Sequence, residues 1–199
     1  MKKNFTLLVF LILTSMFSAQ YKQGEYKEEI FPKTKFDSLD AKMRLAEGNV
    51  TMHGVAFTRA RSIGKINPEK VYANKITVNL FPLSPYFQEW YTLKTQKENL
   101  KKGIVVYMTT QAYRYRLTCE TNSKGEFTFP KMKPGKYILM GNLPWTLSGS
   151  YNQYTGSAYG NGGVTNYYEK KYYSNDYEDL LIRIVEVKAG DKVANVKLK

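Results

Sequence analysis

The chain is 199 residues long and holds one cysteine, one histidine and two tryptophans. One histidine and one cysteine exclude His-rich and Cys-rich metal sites, and with them any catalytic device that needs two histidines. An oxidising compartment favours paired cysteines or none. The lone Cys119, within Leu117-Thr118-Cys119-Glu120-Thr121, is therefore expected to be a buried, inert thiol on a strand. A cysteine nucleophile would need a histidine beside it, and His53 is the single candidate. Arginine is also scarce, with six residues: Arg44, Arg59, Arg61, Arg114, Arg116 and Arg183. The formal net charge of +13 comes mainly from scattered lysines with no run of five like charges. That is a solvated surface rather than a nucleic-acid groove, which clusters Arg and Lys. After the first twenty residues no stretch is apolar enough to span a bilayer. The 43% hydrophobic and 24% charged content excludes a multi-pass membrane protein and does not suit a disordered chain. No nucleophile elbow, P-loop or dinucleotide fingerprint is present.

The first residues read as an export signal. Lys2 and Lys3 form a positive start, Phe5 to Met16 is almost wholly apolar, and Ser18-Ala19 precedes Gln20 as a small-residue cleavage site. Twelve helical residues rise about 18 Å, short of a bilayer core of about 30 Å. Residues 1–19 are thus expected to be removed, with an uncleaved anchor as the alternative because Phe17 stands where a small residue is preferred; removal leaves a chain of net charge +11 with no cysteine near the new terminus to carry a lipid. The expected destination is the periplasm or the exterior, without stable membrane insertion. About 180 residues remain, enough for one domain with a core of its own.

Residues 20–46 are polar and read as an extension lying on the domain, with Asp37 capping a short helix towards Ala46 and Gly48 beyond its end. From Val50 the pattern changes to strands. Val50 to Phe57 and Ile76 to Phe81 are the first two, with a loop over Ser62 to Asn74 between them. Ser84-Pro85 opens a helix and Lys101-Lys102-Gly103 closes it. Phe87, Trp90 and Tyr91 share one of its faces, suited either to docking a partner or to capping an open end of the fold. The second is preferred, because aromatic stripes usually bury. Ile104 to Met108 reads as a strand. Tyr113 to Thr121 reads as another, with Tyr113, Tyr115, Leu117 and Cys119 on one face. Asn122-Ser123-Lys124-Gly125 is a turn, Phe127 and Phe129 face one way on the returning strand, and Pro134-Gly135 carries a type II turn signature before Tyr137 to Met140. Leu181 to Val187 and Val193 to Leu198 close the domain as a pair about Ala189-Gly190-Asp191. Seven or so short strands with turns between them predict a mainly β protein, a β-sandwich.

The stretch Thr121-Asn122-Ser123-Lys124-Gly125-Glu126-Phe127-Thr128-Phe129, followed by Met132 and by Gly135-Lys136-Tyr137, resembles the carboxypeptidase regulatory-like domains. Gly54-Val55 resembles that family's opening strand, and Val187-Lys188-Ala189-Gly190 with Val196-Lys197-Leu198 its last hairpin. The resemblance spans residues 47–199, interrupted by a helical insertion at 84–103 and a Tyr/Gly-rich insertion at 145–178. It implies a seven-stranded Greek-key sandwich of prealbumin-like or Ig-like form, common as an accessory module in exported proteins. A related transthyretin-type enzyme family uses histidines and a Tyr-Arg-Gly-Ser tail. This chain ends Lys197-Leu198-Lys199, so that activity is not expected.

His53 as a general base needs a partner that the sequence does not supply, and a satisfied strand histidine is the plainer reading. Asn175-Asp176-Tyr177-Glu178-Asp179 gathers three carboxylates but lacks a calcium-loop pattern and reads as a solvated turn. No catalytic residue, metal or cofactor is expected. The compositional outlier is Trp145 to Glu178: 34 residues with eight tyrosines and five glycines, otherwise rich in Ser, Thr and Asn. Connections of that length are uncommon in compact domains. The mixture matches binding-loop chemistry, in which aromatic plates give contact area at low entropy cost. An extended hairpin or arm folded over one sheet is the equal alternative. The candidate ligand-binding residues are Trp145, Tyr151, Tyr154, Tyr159, Tyr167, Tyr168, Tyr172 and Tyr173. The expectation is a non-enzymatic envelope module that binds or assembles with an envelope protein or a glycan, with no role in nucleic-acid binding. Sugar stacking on Tyr and Trp is the alternative, and a small hydrolase the more remote one.

Overall fold

The computed structural model describes residues 26–60 and 68–199. The expected signal at 1–19, the start of the polar extension and part of the loop after Arg61 lie outside the described residues. In chain order the elements are β1 (Glu28–Ile30), α1 (Ser38–Arg44), β2 (Val50–Ala60), β3 (Glu69–Tyr72), β4 (Thr77–Pro82), α2 (Pro85–Gln96), a single 3-10 turn (Leu100–Lys102), β5 (Ile104–Val106), α3 (Thr110–Arg114), β6 (Leu117–Glu120), β7 (Glu126–Met132), β8 (Gly135–Gly160), β9 (Gly163–Val187) and β10 (Val193–Leu198). The protein is mainly β.

Two four-stranded sheets carry the body. In one, β2 is the hub: β10 runs parallel to it, while β7 and β3 pair antiparallel with different stretches of it. The other has the order β6-β4-β8-β9, antiparallel throughout. One core cluster draws on both sheets, with Val50, Met52, Phe127 and Phe129 from the first and Val78, Leu80, Leu139 and Val185 from the second. Gly54 sits in this core because a Cβ there would overlap the Phe127 ring. The pair is an aromatic filling the space that a missing side chain leaves on the next strand.

The second sheet is buried on both faces. Its far side presents Phe81 and Ile138, with Met140, Ile182 and Ile184 partly buried, and α2 lays Phe87 and Trp90 onto them. This placement corrects the expectation of a helix over an open end: the apolar far face of the sheet needs a cover, and α2 supplies it. The helix is also shorter than residues 84–103, ending at Gln96 before the separate 3-10 turn. The polar extension lies over α2. Glu89 accepts the backbone N–H groups of Lys33 (3.0 Å) and Thr34 (2.8 Å), and a side-chain hydrogen bond from Thr34 together with these two holds its carboxyl below the ordinary range. Phe36 packs edge-on to Tyr86 and Phe87. Asp37 caps α1 as expected, accepting from the N–H groups of Leu39 and Asp40.

Four local expectations change, the first being the loop over Ser62 to Asn74, which holds β3 paired antiparallel with β2. The predicted strand from Tyr113 is instead the end of α3, with β6 starting at Leu117. Thr109 caps that helix by accepting from Ala112 N, and the Arg116 guanidinium stacks 3.8 Å from the centre of the Tyr113 ring. These contacts override the alternation of Tyr and Arg. The final two strands do not form a hairpin: β10 crosses to the first sheet beside β2, where Ala194 and Leu198 enter the core. Pro134-Gly135 is a bend that opens β8, with Gly135 at φ +156°, and not a hydrogen-bonded turn. The turn at Asn122 stands as read. Asn122 Oδ1 accepts from Lys124 N and Glu126 N, and Gly125 takes a left-handed φ of +73°.

Candidate functional site

The Tyr/Gly-rich segment is an extended hairpin, as the alternative reading had it, but it is not folded over a sheet. β8 and β9 stay paired residue by residue from the body, Gly135 opposite Val187, out to Gly160 opposite Gly163. β4 leaves β8 after Met140, and Leu143 and Leu181 are the last deeply buried side chains on the pair. Beyond them runs a two-stranded ribbon. From Trp145 to Gly160 it extends roughly 50 Å at about 3.3 Å per residue.

The base of the ribbon is fastened to both sheets. Asp179 on β9 accepts from Trp145 Nε1 at 3.0 Å and from Thr58 Oγ1 on β2 at 2.5 Å, both at the same carboxylate oxygen. Tyr177 stacks on Trp145 with ring centres 4.5 Å apart and planes 18° apart. Trp145 is therefore half-buried and engaged in the fold on its N–H and on one ring face. The carboxylate cluster at 175–179 is a strand here, which corrects the solvated turn. Asp179 was noted only as part of that cluster and Thr58 not at all, because a contact between residues 121 positions apart leaves no local signal.

The other candidates are spread along the ribbon, and the register sorts them by face. Trp145, Tyr151, Tyr167 and Tyr173 continue the core-facing side, along with Tyr177. Tyr154, Tyr159, Tyr168 and Tyr172 lie on the opposite side. A single-residue bulge at Thr155 allows this. Without it Tyr154 and Tyr159, five residues apart, would point to opposite faces. The irregular spacing of the tyrosines is thus two ordinary strand faces plus one bulge. Tyr154 and Tyr168 meet edge-to-face at 5.8 Å, and Tyr173 lies across Gly149. Most of these rings remain in solvent, Tyr159 at 84% and Tyr172 at 76% exposure. Polar cross-links accompany them: Thr146 to Asp176 (2.7 Å), and Tyr154 OH with Ser157 Oγ, which donates to Asn166 Oδ1 (2.5 Å each). The eight residues do not converge on one pocket. They form two exposed aromatic faces on one stiffened ribbon.

An open groove of about 1160 Å³ lies elsewhere, lined by His53, Asn74, Lys75, Cys119, Thr128 and Asn195 among others. It brings the single histidine and the single cysteine to one place without coupling them. His53 Nδ1 is 3.0 Å from Thr128 Oγ1. Burial pushes the Cys119 thiol up to about 11, the reverse of what a nucleophile needs. Cys119 is half-buried rather than fully enclosed. No group of three or more His, Cys, Asp or Glu side chains is placed to hold a metal ion among the described residues, and no helix among them is long and apolar enough to cross a membrane.

No protein-family model matches the chain, and no curated protein matches it. Among solved structures, the fold is similar to that of a Pseudomonas aeruginosa protein described as a "putative carbohydrate binding protein", with a TM-score of 0.52 and 14% identity over 82% of this chain and 98% of the other. At that identity the likeness speaks to the fold alone.

Proposed function

We propose that the chain is a non-enzymatic module of the cell envelope, exported by residues 1–19, which uses a carboxypeptidase regulatory-like Greek-key sandwich as the base for a partner-binding ribbon. The observation that carries this reading is the ribbon itself: tyrosines exposed on both faces of a structure that no other described element covers. An exposed aromatic surface of this size marks an interaction site. Each favourable ring pair adds about 0.5–1.5 kcal/mol beyond buried area, so several rings together support micromolar binding. The single core shared by two four-stranded sheets supports the sandwich part of the reading. The high thiol pKa of Cys119 supports the non-enzymatic part.

The alternative is carbohydrate binding by ring stacking, favoured by the description of the Pseudomonas neighbour. One variant tests both: Tyr151, Tyr154, Tyr159 and Tyr168 changed to Ser. The body should melt as in the wild type while capture of partners from envelope extract is lost. A glycan array then assigns the partner to the sugar or the protein class. Unfolding of the body, or undiminished capture, would refute the ribbon as the binding surface.

A further inference from the structure

The ribbon carries a second pattern besides its tyrosines. No residue from Tyr137 to Tyr168 is charged. The ribbon part of β8, Trp145 to Gly160, therefore has neither charge nor proline, whereas β9 carries Glu169, Lys170, Lys171, Asp176, Glu178 and Asp179. Beyond Met140, β8 pairs with β9 alone among the described residues, so its other edge is open. Edge strands are normally guarded by lysine, proline or charge. In a lysine-rich chain of net charge +13 the β9 edge is guarded by charge, whereas the open β8 edge carries only Pro144 at its base and the bulge. A two-stranded ribbon is also marginal in water by itself, and a third strand makes it secure.

We infer that the open edge of β8 pairs antiparallel with β8 of a second copy, giving a four-stranded ribbon with β9 of each copy outermost. This rests on the ribbon being the interaction surface proposed above, and it names the partner as another copy of the chain. The edge sequence selects that occupant because it is close to a palindrome: Leu147-Ser148-Gly149-Ser150-Tyr151-Asn152, then Gln153-Tyr154-Thr155-Gly156-Ser157-Ala158. The palindrome centres between Asn152 and Gln153; a two-fold axis at Asn152 sets that residue opposite its own copy, Tyr151 opposite Gln153 and Ser150 opposite Tyr154, so that like residues meet only beyond the bulge. With the bulged Thr155 left out of the pairing in each copy, Gly149 then faces Gly156, Ser148 faces Ser157 and Leu147 faces Ala158. Both members of every pair lie on the same ribbon face, as antiparallel pairing about a two-fold requires. The bulge makes this possible, because an unbroken strand would put Gly149 and Gly156 on opposite faces. No pair opposes two charges. The antiparallel arrangement also keeps the two basic bodies at opposite ends of a ribbon roughly 50 Å long, several Debye lengths apart at physiological salt.

The test uses the full chain. Sedimentation over about 1 to 100 μM should show a dimer, and Asn152→Lys, which sets two ammonium groups face to face, should raise its dissociation constant about tenfold or more. Asn175→Lys, an exposed change on β9, should leave the dimer intact and controls for added charge. In a Cys119→Ser background, Asn152→Cys should form a disulfide-linked dimer on mild oxidation, because directly opposed strand residues sit about 4.5–5.5 Å apart at Cα. Ser148→Cys, whose partner is Ser157 of the other copy, should not link. A monomer throughout the concentration range overturns the inference. So does a dimer that ignores Asn152→Lys and fails to link through the Asn152→Cys thiol. Neither result touches the capture experiment with the Tyr-to-Ser variant, so failure of self-pairing and failure of the ribbon as a binding surface are read separately.

Discussion

Replacing Asp179 with Ala tests how the ribbon is joined to the body. The substitution removes the one oxygen that accepts from both Trp145 Nε1 and Thr58 Oγ1, leaving two donors in a partly buried place without an acceptor. A hydrogen bond to a charged group contributes about 1.5–3 kcal/mol when well buried. This site is only part-buried, so the lower end applies to the first bond and less to the second, about 2–3 kcal/mol in all. Loosening the Trp145–Tyr177 stack would add a fraction of its own 0.5–1.5 kcal/mol or so. At about 2–4 °C per kcal/mol for a chain of this size, the melting temperature should fall by roughly 5–10 °C. Asp179→Asn keeps one acceptor oxygen and should lose about half as much. Tryptophan fluorescence below the melting transition also reports loosening at the base, because the other indole, Trp90, is buried in the separate cluster under α2 and should change only when the body unfolds. A double-mutant cycle with Thr58→Val should show coupling of about 1 kcal/mol. Equal melting of the Ala variant and the wild type, or no coupling to Thr58, would refute the clamp and make the ribbon a free appendage.

Three further outcomes follow from the body. Phe129 is 2% exposed in the shared core, so Phe129→Ala should cost about 3–5 kcal/mol in urea unfolding; a loss below about 1 kcal/mol would mean the two sheets do not close on that side chain. Gly54→Ala forces a methyl group into the Phe127 ring and should cost about 1–3 kcal/mol. Adding Phe127→Leu should recover part of that loss, and additive losses would count against the contact. The Cys119 thiol, raised from 9.0 to about 11 by burial, should alkylate slowly at pH 8 in the folded chain, with a rate midpoint near 11. The folded state holds this proton after the unfolded state has released it, so Cys119 favours unfolding as pH rises from about 9 towards 11. The difference in stability between wild type and Cys119→Ser should therefore change across that window, and a flat difference would show the thiol to be freely solvated.

Elements with a local cause were legible in the sequence. Asp37 capping α1, Pro85 at the first turn of α2, and Asn122 with Gly125 between β6 and β7 each act within a few residues, and each was read correctly from its own side chain. The errors lie where a distant partner decides. Tyr113-Arg114-Tyr115-Arg116 alternates like a strand, but the Thr109 cap and the stacking of Arg116 on Tyr113 turn its first half into a helix. Ala189-Gly190-Asp191 marks a turn without saying where the chain goes next, and β10 finds its place beside β2 because Ala194 and Leu198 complete a core that the other sheet already half fills. The aromatic face of α2 was recognised as a burying face, and the thing it buries against, the outer side of β4, β8 and β9, was not.

The extended hairpin at 145–178 was an equal alternative that the sequence could not decide, for a different reason. Period-two hydrophobicity appears in a sequence only when one face of a strand is buried and the other is wet. Beyond Leu143 and Leu181 neither face is buried, so nothing forces alternation, and a strand of Tyr, Ser, Gly and Asn has the composition of a loop. What holds it is cross-strand pairing: Tyr154 against Tyr168, Thr146 against Asp176, Tyr173 over Gly149. Each such pair contributes only about 0.2–1 kcal/mol, against about 1–2 kcal/mol of backbone entropy for every residue ordered. A ribbon of this length therefore gains more from a further strand or a covering surface than a strand inside the body would. The signals that could have settled it, an uncharged edge and a near-palindrome centred between Asn152 and Gln153, concern pairing between strands, which a reading of single-strand periodicity does not reach. On the proposed reading, binding and order are one equilibrium: a partner that docks on the ribbon would stabilise it by mass action, and the exposed tyrosines would be both the surface recognised and the part of the molecule that gains most from recognition.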